Sequence, residues 1–166
     1  MSFKYSTGEE YYNRIYLIFN GLIALTLVPF VLLFLEIEKY GSDNPLVSGS
    51  LSYILIAIIS ATYIAIFYLG TRTYKKELTV ISKDISLRQK LDAYYSVSLR
   101  KYIRLSGCCA LTVIGLFLTK HFLFIIAYVF ALGVLSIGRP VLKNIINEIP
   151  LTKEQADILS DKKRID

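Results

Sequence analysis

The fold turns on LSGCCALTVIGLFLTKHFLFIIAYVFALGVLSIG, residues 105–138, which carries no charge except at Lys120 and no histidine except His121. As one α-helix its 34 residues would be about 51 Å long, against a bilayer hydrocarbon core of about 30 Å. Something must break it. The polar pair does, which predicts two short spans, 105–119 and 122–138, joined by a tight turn; a re-entrant hairpin is the alternative. Each span is shorter than the usual length of about twenty residues, so Arg104, Lys120 and Arg139 are expected to reach out toward the membrane interfaces.

Upstream, IYLIFNGLIALTLVPFVLLFL (15–35) and LSYILIAIISATYIAIFYLG (51–70) are each long enough to cross. The first is too long for a signal-peptide core and is followed by Glu36 instead of small residues suited to cleavage, so it is read as a retained anchor. Hydrophobic residues make up 54% of the 166 and charged residues only 19%, with a mean hydropathy of +0.51. The sequence therefore predicts an all-α polytopic membrane protein, a four-span helical bundle. Its parts are an N-terminal segment (1–14), a first transmembrane hairpin (15–70), a helical hairpin in water (71–104), a second transmembrane hairpin (105–138) and an amphipathic tail of short helices (139–166).

Loop charge sets the expected orientation. Residues 71–104 hold nine basic side chains, whereas 36–50 hold Lys39 against Glu36, Glu38 and Asp43. The positive-inside rule places 71–104 and both termini in the cytoplasm, with the chain in the plasma (inner) membrane. Arg72, Lys75, Lys76, Arg100, Lys101 and Arg104 are the expected contacts to lipid headgroups, each worth about 1 kcal/mol near an anionic leaflet. Such anchoring explains the pI near 9.2, and no nucleic-acid partner is expected.

In the middle of the water-facing hairpin stands KDISLRQK (83–90), where Ser86 and Gln89 have capping-box spacing. Leu78, Ile81 and Ile85 before it, and Leu87, Leu91, Tyr94 and Tyr95 after it, recur at helical spacing. This predicts two amphipathic arms meeting at a capped tip. Leu87, Leu91, Tyr94 and Tyr95 are the candidate partner-docking surface; the bland alternative is that the stripes pack on each other or lie among headgroups. After the last span, Pro140 opens a short helix with Val141, Leu142, Ile145, Ile146 and Ile149 on its apolar side, and Thr152 with Gln155 caps another.

Catalytic signatures are missing from this reading. His121 has no second ligand at zinc or haem spacing, and Cys108 and Cys109 are adjacent, so on a helix they point about 100° apart and are not a CxxC pair. No metal, cofactor or enzymatic activity is expected. Within the spans, Ala57, Ala61 and Ala65 stand every fourth residue and would let another helix approach closely, inside the bundle or from a neighbouring subunit. The expectation is a non-catalytic accessory or scaffold subunit of a membrane complex, meeting lipids and either other membrane-protein subunits or copies of itself. The alternative is a small oligomeric transporter or channel lined by Asn20, Thr26 and the hydroxyls of the second span.

Overall fold

A computed structural model describes residues 5–42, 45–161 and 164–165. Asp43, one of the acidic residues of the 36–50 loop, lies outside these residues. Among the described residues six helices follow one another: α1 (Gly8–Tyr40), α2 (Ser50–Thr79), α3 (Leu87–Thr119), α4 (Leu123–Ile137), α5 (Leu142–Glu148) and α6 (Lys153–Ser160). Among the described residues the only extended pairing is an isolated bridge between Thr7 and Arg164. The chain is all-α, and α1, α2 and α3 are each long and apolar enough to cross a membrane. A fourth candidate exists if α4 and α5, bent by 78° where they meet, count as one span.

Local chemistry explains where these helices begin and end. Thr7 Oγ1 accepts from Glu10 N and the Glu10 carboxylate accepts from Ser6 N, so α1 starts a full seven residues before its apolar run. Glu9 and Glu10 in its first turn also suit the positive end of the helix dipole. The two expected capping boxes are present with both reciprocal bonds, at Ser86 with Gln89 and at Thr152 with Gln155. Helix α3 ends at Thr119, where the sequence places the turn. Lys120 adopts a left-handed φ of 50° and its N–H donates to the Leu116 carbonyl. That conformation is disfavoured for a residue with a Cβ. Local bonds hold it: His121 N donates to Thr119 Oγ1, Leu123 N donates to His121 Nδ1, and the Lys120 ammonium lies 3.3 Å from Glu36.

The chain divides into two compact units. Unit 1 gathers residues 1–20, 71–101 and 139–166; unit 2 gathers 21–70 and 102–138. Unit 1 holds sixteen of the nineteen basic residues and ten of the thirteen acidic ones, so the whole excess of six positive charges falls there. Its core is a single cluster drawn from all three segments: Tyr5, Tyr11 and Ile15, then Ile81, Leu87, Leu91, Tyr94 and Tyr95, then Ile145, Ile149, Leu159 and Ile165. Short α5 and α6 would be marginal alone, so they depend on this packing.

Unit 2 is the apolar bundle. Tyr128 stacks on Phe30 with ring centres 3.8 Å apart, Ser106 donates to the Leu22 carbonyl, and Tyr102 donates to the Gly138 carbonyl. At Gly115 the Phe124 ring of α4 packs tightly on α3, since a Cβ placed there would stand 2.6 Å from it.

Candidate functional site

The densest polar chemistry lies in unit 1, where α5 and α6 meet the hairpin arms. Glu148 Oε2 accepts from Tyr74 (2.6 Å) and from Tyr94 (2.8 Å). Burial, reinforced by Tyr74 and Glu148, pushes the Tyr94 hydroxyl well above the ordinary tyrosine pKa, which keeps it protonated and able to donate. Lys101 Nζ stands 4.1 Å above the Tyr74 ring, a cation–π contact. Burial lowers the Lys101 pKa, and Glu148 partly offsets this.

Lys90 is the residue least expected from sequence. It is completely buried, and its ammonium donates to the Pro150 carbonyl and to Gln155 Oε1, each at 2.9 Å. Both acceptors are uncharged, so the side chain acts as a tie between α3 and the α5–α6 connection. At the other end of the unit, Tyr5 donates to the Arg88 carbonyl and Asp92, Tyr11 donates to the Leu91 carbonyl, and Ile165 N donates to the Ser6 carbonyl. None of these contacts brings a nucleophile to a base across a substrate-sized opening, and no group of three or more metal-binding side chains occurs among the described residues.

The sequence-derived sites fall out differently. Leu87, Leu91, Tyr94 and Tyr95 are 8%, 0%, 1% and 7% exposed, inside the unit 1 core. The N-terminal segment and the tail cover the stripe, so these four side chains have no free surface for a partner. Arg72, Lys75 and Lys76 are exposed at the end of α2. Arg100 is exposed and pairs with Glu77 at 2.9 Å, Lys101 is half-buried, and Arg104 lays its stem along Gly70 with one guanidinium nitrogen buried and unpartnered. Asn20 is exposed on α1, whereas Thr26 is buried, donates to the Ile23 carbonyl and lies 3.4 Å from the Tyr128 hydroxyl.

Ala57, Ala61 and Ala65 all face outward. They share an exposed face with Ile54, Ile58 and Ile64, and only 6% of the apolar window of α2 is buried in the chain's own fold, against 50% for α3. Internal packing therefore does not use them. No known protein family, curated protein or solved structure matches the chain.

Cys108 and Cys109 are both fully buried free thiols. A membrane-permeant maleimide is expected to leave both unmodified in the folded protein and to modify both after denaturation. Modification of the native chain, read by intact mass, would overturn this placement.

Proposed function

We propose that the chain is a non-catalytic accessory or scaffold subunit of a membrane complex, and that the outward alanine face of α2 is where a neighbouring transmembrane helix packs. The observation that carries this reading is the exposure of Ala57, Ala61 and Ala65 on a helix that contributes little to its own bundle. Small residues one turn apart allow two helix backbones to approach closely, and in lipid such packing, not hydrophobic burial, drives helix association.

Four crossings with both termini in the cytoplasm suit the fold. The bonds of Tyr5 to Asp92 and of Lys90 to Pro150 and Gln155 join the segments before, between and after the two apolar hairpins, which supports reading all three on one side. Each hairpin must then enter the membrane and return. With 15 residues α4 is about 22 Å long, so its crossing calls for local thinning and for Arg139 to reach the headgroups. Arg72, Lys75 and Lys76 complete the anchoring on the basic, cytoplasmic side of the plasma (inner) membrane.

The test compares two enlargements on exposed positions of α2. Ala61→Leu should weaken assembly by about 1 to 3 kcal/mol through overpacking. Thr62→Leu, at an exposed residue whose hydroxyl is spent on the Ile58 carbonyl, should leave assembly intact. Native mass spectrometry of complexes extracted in mild detergent reads both, and equal assembly in the two variants would remove the α2 face from the proposal.

A further inference from the structure

In unit 2 a cavity of 230 Å³ opens among α2, α3 and α4. Its walls are Ile64, Leu123, Phe124 and Ala127, with the carbon faces of three polar residues. The polar atoms of those three are turned to other uses or hidden. Tyr63 donates to the Ala127 carbonyl, Thr112 donates to the Cys109 carbonyl, and Ser60 Oγ is shut away from the surface without a partner. The lining is thus almost wholly carbon. Apolar cavities of about 150 Å³ in proteins stay dry and take up benzene or xenon, and a carbon lining here likewise favours an apolar occupant over water, which would find few hydrogen-bond partners. The Phe124 ring is seated against α3 at Gly115, which fixes that wall.

The mouth of the cavity indicates the source of the occupant. Ile64 is 64% exposed and Leu123 40%, and the apolar surface continues over Ile126 and Phe130. On a membrane-spanning chain that surface lies against hydrocarbon, so the cavity is continuous with the bilayer interior. We propose that this cavity is a binding site for one acyl chain of a bilayer phospholipid, an inference that rests on the membrane-spanning part of the function proposed above. It would seat a lipid between α2 and α4, at the edge of the exposed α2 face where Ile64 stands.

The full chain, reconstituted in nanodiscs containing a phospholipid with a diazirine in one acyl chain, is irradiated and its adducts are mapped by mass spectrometry. Adducts at Ile64, Leu123 and Ala127 should exceed severalfold those at Leu25 and Val129, which are exposed elsewhere on the apolar surface. Ala127→Phe, which fills the cavity, should reduce the first set severalfold and leave the second unchanged. The wild-type ratio stands as a test even where that variant does not fold. Equal adducts at all five positions, or no effect of a folded Ala127→Phe, would overturn the site. Absence of adducts at Leu25 and Val129 as well would overturn the membrane-spanning reading and the site with it.

Discussion

Lys90→Ala is expected to loosen unit 1 by about 3 kcal/mol. Two hydrogen bonds from a charged donor contribute roughly 1.5 to 3 kcal/mol each when their acceptors are left without replacement, and the buried methylene stem adds about 0.8 kcal/mol per group. Against this stands the desolvation of an ammonium with no counter-charge, which the substitution relieves. Lys90→Met separates the two contributions, because it keeps most of the packing, removes the buried charge and gives up only the bonds to Pro150 and Gln155. The expected order is therefore wild type, then Met, then Ala. Hydrogen exchange on α5 and α6 in detergent checks it, since amides there should lose protection before those of α4. A fully protected tail in Lys90→Ala would show that the apolar contacts of Ile145, Ile149 and Leu159 suffice.

Gly115→Ala is the smallest change with a large expected effect on the bundle. Its methyl would stand 2.6 Å from Phe124 Cε1 and Cζ, and the adjoining ring carbon is at 2.8 Å, so the ring must leave its seat. Overpacking of this kind destabilises by about 1 to 3 kcal/mol. The cause is testable through a partner. Phe124→Ala alone should cost about 3 to 5 kcal/mol, but adding Gly115→Ala to it should cost almost nothing, because the methyl then meets empty space. Thermal unfolding of the four proteins completes the cycle, and additive losses would place the effect of Gly115 somewhere other than the Phe124 contact.

Local signals were legible and long-range ones were not. The Lys120–His121 turn could be found because two polar residues interrupt an apolar run too long to cross once. Both capping boxes could be found because their partners are three residues apart. Thr7 and Glu10 have the same spacing, and that signal could have moved the start of α1 back from Ile15 to Gly8. The stripe of Leu87, Leu91, Tyr94 and Tyr95 was visible as an apolar face, but periodicity says only that a face needs cover, not what covers it. Its cover comes from segments about 50 to 80 residues away in the chain, as the bonds of Tyr11 to Leu91 and Tyr94 to Glu148 show. Lys90 was hidden for the same reason: nothing nearby distinguishes it from Arg88, which lies against the Tyr5 ring. The alanine spacing announced close helix packing without saying which side of α2 faces its own bundle.

The three-part construction of unit 1 has a consequence for biogenesis. Its core draws on residues from Tyr5 to Ile165, so it cannot close until nearly the entire chain has been synthesised. At translation rates of about 5 to 20 residues per second, the face of Leu87, Leu91 and Tyr94 waits on the order of several seconds for α5 and α6 to arrive. On the four-crossing reading proposed above, a missed crossing in the second hairpin would put the tail, and one in the first hairpin the N-terminal segment, across the bilayer from this face, which would then stay partly uncovered. On that reading closure of this unit would report that every crossing has been made, and an open unit would leave a persistent apolar surface by which a quality-control protease or chaperone could recognise a misinserted chain.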